Sequence, residues 1–189
     1  MPILGIIASA ISGNLFAPSG AYDSIATTTL STATASVTFS SIPATYTHLQ
    51  IRAMARTDRA LTRDAMKVTY NGNTTTYAYH NLFGDGATVT AQGLASQPEM
   101  AFNDISGASA TASVFGVMVI DILDYANTNK VKTFRALGGY DNNGSGAVGL
   151  NSGMFSGNNN AITTITLSPY GGSNFVTYSS FALYGIKGA

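Results

Sequence analysis

Cysteine is absent from the 189-residue sequence, so neither a disulfide nor a thiolate metal site can form. A secreted eukaryotic β-module of this size more often carries disulfides, and their absence fits a bacterial or viral product. Charge is scarce too. Asp, Glu, Lys and Arg make up 10% of the chain, against about 25% in an ordinary globular domain. The charges also cancel, nine basic against nine acidic. Without a basic excess there is no electrostatic footprint for nucleic acid, so no nucleic-acid partner is expected.

Catalytic patterns are missing as well. The two histidines, His48 and His80, have no HxxH or HExxH spacing. No G-x-S-x-G elbow is present, and Gly144-Ser145-Gly146 lacks its flanks. Asp121 and Asp124, three apart on a strand, point to opposite faces and make a poor acid–base pair. Asp121 instead calls for a cation, from Lys130, Lys132 or Arg135 on the next strand, and Asp124 reads as a turn former. Asp141-Asn142-Asn143-Gly144-Ser145 faintly resembles a calcium loop but lacks its spaced carboxylates and closing Glu. The expectation is a non-enzyme with no catalytic residue, no cofactor and no metal.

What the chain does have is Thr, Ser, Gly and Asn, arranged as short alternating runs between turns. Leu49, Ile51, Ala53 and Ala55 alternate with His48, Gln50, Arg52, Met54 and Arg56, which predicts a strand with one buried face. Asn71-Gly72 between two strand-like runs is a hairpin signal, because both residues tolerate positive φ. Pro43 marks a turn. The nearly all-apolar Ser113–Leu123 predicts a strand buried on both faces. Residues 81–97, with Asp85-Gly86, read as a long loop. About nine or ten strands result, with no convincing amphipathic helix of 12 or more residues. This predicts an all-β, antiparallel β-sandwich, jelly-roll-like, with an extended N-terminal arm. Residues 1–20 form the arm and residues 21–189 the β-sandwich domain.

The arm, MPILGIIASAISGN and its continuation, carries no charged residue before Asp23. It fits a signal peptide poorly, because the first basic residue is Arg52 and the apolar run is short. It fits a membrane span poorly, because Ser9, Ser12, Gly13 and Asn14 interrupt it, so no membrane association is expected. An assembly arm fits better, with Ile3, Leu4, Ile6 and Ile7 as its contacts. A second candidate is basic. Arg52, Arg56, Arg59, Arg63 and Lys67 have near-helical spacing. They read either as a polar strand edge and charged loop balanced by Asp58 and Asp64, as a stripe for phosphate or acidic lipid, or as an intersubunit basic patch of Arg52, Arg56, Arg59 and Arg63 that pairs carboxylates. Tyr70, Tyr77, Tyr79, Tyr125, Tyr140, Tyr170, Tyr178 and Tyr184 read either as core-edge filling or as sugar-stacking rings.

Four segments carry a resemblance: MPILGIIASAISG at the start, SIPATYTHLQIR at 41–52, FGVMVIDILDYANTNKVKTFRALGG at 115–139 and YSSFALYGIKG at 178–188. Together they resemble a family of small virion structural proteins of tailed bacteriophages, including phages of cyanobacteria. The resemblance implies a location in the virion. One position is the capsid surface, as a decoration (cement) protein that binds and stabilises the major capsid protein shell through the apolar arm. The alternative is the tail, as a fibre or receptor-binding adhesin joined to tail proteins by the same arm. A carbohydrate-active enzyme is a third reading from a different class. Both virion readings imply a homo-oligomer, with a trimer as the family analogy.

Overall fold

A computed structural model describes residues 21–188 and confirms the all-β antiparallel sandwich. The expected arm contacts Ile3, Leu4, Ile6 and Ile7 lie outside the described residues. Twelve strands follow in order: β1 (Tyr22–Thr29), β2 (Val37–Phe39), β3 (His48–Ala55), β4 (Arg63–Tyr70), β5 (Tyr77–Gly84), β6 (Val89–Gln97), β7 (Met100–Ser106), β8 (Gly116–Leu123), β9 (Lys132–Asp141), β10 (Gly146–Phe155), β11 (Ile165–Pro169) and β12 (Ser180–Ile186). An eight-stranded sheet has the order β1-β12-β3-β8-β9-β10-β5-β6, and a four-stranded sheet has the order β2-β11-β4-β7.

The core lies between the sheets and follows from alternation. Leu49, Ile51, Ala53 and Ala55 of β3 are buried as their spacing predicts, beside Met118, Ile120 and Ile122 of β8. Phe102 of the small sheet meets Phe134 of the large one edge-to-face, with ring centroids 5.7 Å apart. Tyr70, Tyr77 and Phe155 form a second aromatic contact, with Tyr77 and Phe155 4.9 Å apart. Such pairs add attraction beyond the area they bury.

Three expectations need correction. First, residues 81–97 are not a loop: β5 runs on to Gly84 and pairs antiparallel with β6. The turn between them is the four residues 85–88, where Asp85 Oδ1 accepts the Ala87 and Thr88 amides at 3.0 and 2.7 Å. β6 is an edge strand rich in small and polar residues, so backbone pairing rather than an apolar face defines it. Second, Asn71 and Gly72 do turn the chain, with φ of 51° and 70°, but they do not close a hairpin. β4 and β5 belong to different sheets, and the turn carries the chain from one layer to the other. The Asn71 side chain holds it there, donating to the Ala161 carbonyl at 2.9 Å and accepting the Thr163 and Thr164 amides at 2.9 and 3.0 Å. Third, β8 is buried on one face only. Val117, Val119 and Leu123 stand on the other face, with Val117 55% exposed.

Candidate docking face

The outer face of the large sheet can be read row by row from strand register. One row crosses all eight strands: Thr27, Ala182, Arg52, Val119, Leu137, Leu150, Leu82 and Ala91. The parallel row two residues along runs Thr29, Ser180, Met54, Val117, Gly139, Val148, Gly84 and Val89. Arg52 is the one charged residue in these rows. Leu137, Val148 and Leu150 are 57%, 59% and 52% exposed, so nothing within residues 21–188 covers them.

The two rows form a trough of about 580 Å³ over Met54, Val117, Val119, Leu137 and Val148. Gly139 keeps its floor low between Val117 and Val148. A Cβ there would lie 2.7 Å from the Ala147 carbonyl oxygen, closer than packed atoms tolerate. Contiguous exposed apolar surface is the kind of feature found at interaction sites, which makes this face the candidate site.

The third row is polar and closes the trough on one side. Arg52 Nε donates to Gln50 Oε1 at 2.9 Å, and Gln50 Nε2 donates to Asp121 Oδ1 at 2.8 Å. Arg135 Nε donates to Asp121 Oδ2 at 3.0 Å, which supplies the cation that Asp121 called for. The Arg52 guanidinium also lies 5.7 and 5.3 Å from the ring centres of Tyr22 and Tyr184, within cation–π range.

The five basic residues of the near-helical run do not form one patch, because the segment is strand and loop rather than helix. Arg52 stands on the outer face. Arg56 donates to the carbonyls of Ala108, Ala110, Thr111 and Val114 at 2.7–3.0 Å and so pins the loop ahead of β8. Arg59 bonds the buried Asp64 at 3.1 Å. Asp64 also accepts the Thr57 hydroxyl and the Gly171 and Gly172 amides, each at 2.9 Å. Arg63 lies 4.8 Å from the Phe83 ring centre. Lys67 sits on β4, in register with Ala101 and Ser168.

Several other candidates make contacts within the fold. Asp124 turns the chain after β8 with φ of 49° and bonds Lys130 at 2.5 Å. That hydrogen bond, the largest of several effects, holds its carboxyl below the ordinary value. His48 Nδ1 accepts the Asp124 amide at 3.0 Å. Asp141 Oδ1 accepts the Asn143 amide at 2.8 Å and so spends its carboxylate on the β9–β10 turn. Tyr70, Tyr77 and Tyr125 are fully buried, and burial is the chief cause that pushes the Tyr77 phenol up to about 12. The Tyr77 hydroxyl accepts the Tyr70 amide at 2.8 Å. Tyr170 and Tyr178 are exposed. Among the described residues, no three His, Asp or Glu side chains stand where they could hold a metal ion.

Sequence reasoning missed the apolar outer face. Its signal was present: Val117, Val119 and Leu123, interrupted by Asp121 alone, made the alternate positions of Ser113–Leu123 mostly apolar, and Leu137, Val148 and Leu150 extended that pattern to the next two strands. In comparisons with known proteins, no family model, curated protein or solved structure matches the chain.

Proposed function

We propose that this chain is a bacteriophage virion structural protein, a capsid decoration protein that binds and stabilises the shell through its apolar N-terminal arm and works as a homo-oligomer. The observation that carries this reading is the apolar outer face of the large sheet on a chain that is 10% charged. A β-sandwich whose Val119, Leu137 and Val148 face outward is built to be covered by protein. On this reading the role is structural rather than catalytic, and it is supported by buried charges that serve the fold: Asp64 is spent on three backbone amides and a hydroxyl, and Lys132 on backbone carbonyls. The sequence resemblance supplies the virion context. The test is binding of purified chain to undecorated shells. Wild type is expected to saturate them, and the Ile3/Leu4/Ile6/Ile7→Ser chain to bind at least tenfold more weakly, a loss of about 1.4 kcal/mol or more. Equal binding by both chains would remove the arm from the proposal, and no binding by wild type would remove the shell.

One feature favours the tail position as a second reading. The β5–β6 and β9–β10 turns come together at one end of the large sheet and, with Tyr140, line a depression of about 500 Å³. Exposed Asp and Gly at the adjoining loop tips, beside the half-buried Tyr140 ring at the end of β9, suit recognition of a host-surface glycan. On this reading purified protein binds host cells and Tyr140→Ala weakens that binding. A protein that decorates shells and does not bind cells excludes it.

A further inference from the structure

The apolar trough has no cover within residues 21–188, and a suitable cover lies in the same chain. We propose that Ile3, Leu4, Ile6 and Ile7 of the chain's own N-terminal segment occupy the trough over Val119, Leu137 and Val148 in the free subunit. The arm would then be stored on its own body before it meets a partner.

Reach supports this. The chain runs from the segment into Tyr22, on edge strand β1, opposite Ile186. The middle of the trough lies at the level of Thr27 and as far across the sheet as β9. With ~3.4 Å per residue along a strand and ~4.8 Å between strands, the separation is roughly 25 Å. The residues between Ile7 and Tyr22 span up to roughly 50 Å when extended. The tether therefore reaches with length to spare.

Chemistry supports it as well. Residues 1–20 carry no charged side chain. The charges bordering the trough are already engaged: Arg52 by Gln50 and by the rings of Tyr22 and Tyr184, and Asp121 and Arg135 by each other. An uncharged apolar occupant therefore leaves no ion without a partner, and both surfaces leave water together. Tethering decides between the chain's own arm and that of a second copy. A short flexible link gives an effective concentration in the mM range, above the concentration of free copies in a dilute solution.

The chain has no native cysteine, so paired cysteines report contact cleanly. In the full-length protein, Ile6→Cys is combined with Leu137→Cys in the trough, or with Thr38→Cys on the exposed side of the small sheet. Both are oxidised in dilute solution. The trough pair is expected to close into an intrachain disulfide about tenfold faster than the control pair. Equal rates would overturn the proposal, and so would a trough pair that closes only between chains. An apolar fluorescent dye gives a second measurement without cysteines. The Ile3/Leu4/Ile6/Ile7→Ser chain is expected to bind more dye than wild type, and adding Leu137→Ser to remove the excess. Unchanged dye binding in the first chain would count against the proposal. A negative result on the isolated chain leaves shell binding untouched, because that reading is tested on shells.

Discussion

The inner and outer faces of the large sheet are made of similar residues and meet different fates. On β8, Met118, Ile120 and Ile122 point inward and are closed off by the small sheet, while Val117, Val119 and Leu123 point outward and stay exposed, flanked only by cross-strand neighbours. β9 repeats the contrast, with Phe134 and Ala136 inside and Leu137 outside. The small sheet, with four strands, cannot back eight. Apolarity at alternate positions therefore does not by itself fix how many layers cover a strand: both faces of β8 carry it, and among the described residues only the inner one is closed off.

The largest predicted effect separates the two faces directly. Phe181→Ala, on the inner face and packed 4.8 Å from Phe175, is expected to cost ~3–5 kcal/mol, because it removes buried contacts and leaves a cavity. Val119→Ala, on the outer face, is expected to cost within ~0.5 kcal/mol once Ile3, Leu4, Ile6 and Ile7 are serine, since nothing then packs on it. Urea unfolding midpoints measure both. Comparable losses at the two positions would mean that the outer face is closed by something other than the arm.

Lys132 sharpens the comparison from the inner face, the side on which a charge is least at home. It is 1% exposed, and its ammonium donates to the carbonyls of Asn127, Lys130 and Asn159, the last two at 3.2 and 3.1 Å. Lys132→Met is expected to destabilise by ~2 kcal/mol at neutral pH, because these carbonyls lose their donor. Burial is also the main cause that lowers the ammonium's pKa below 10.5. The folded chain then binds this proton less readily than the unfolded one, so stability rises with pH between the lowered folded value and 10.5. Wild type should gain on the Lys132→Met variant across that window. A stability difference that stays flat there would show that the ammonium titrates alike in both states.

Much of this comparison was legible in the sequence, and its failures have physical causes. The buried face of β3 followed from period-two alternation, because a strand must turn successive side chains to opposite sides. That Asp121 needs a cation followed from the cost of leaving a carboxylate alone in an apolar run, but the choice of Arg135 over Lys130 and Lys132 came from strand register. β6 was illegible, since Val89–Gln97 is held by its backbone to β5 and its small, polar side chains encode no face. The layer change at Asn71-Gly72 was illegible too. The local turn is the same whether the next strand pairs or crosses, and Thr163 and Thr164, which decide it, lie about ninety residues away. The outer trough went unseen because an all-apolar run has the same pattern whether the second cover comes from the same sheet stack, from the arm or from another protein.

The smallest predicted effect lies in the polar row that borders the trough. Arg135 is 71% exposed and Asp121 19%, so their ion pair is well screened, and a double-mutant cycle should give a coupling of only ~0.2–1 kcal/mol. A pair that adds so little to the fold but spans the edge of an apolar face acts as a boundary, since any partner seated on Leu137 and Leu150 must stop at the charges or match them. The swapped chain, Asp121→Arg with Arg135→Asp, separates the two roles. It is expected to unfold within ~1 kcal/mol of wild type, because the pair survives in reverse. Its binding to shells should weaken more than that, because the charges now face the wrong way for a complementary partner. A coupling well above this range would make the row a support of the fold. Unaltered shell binding would place the contact elsewhere on the molecule and detach the trough from the proposed function.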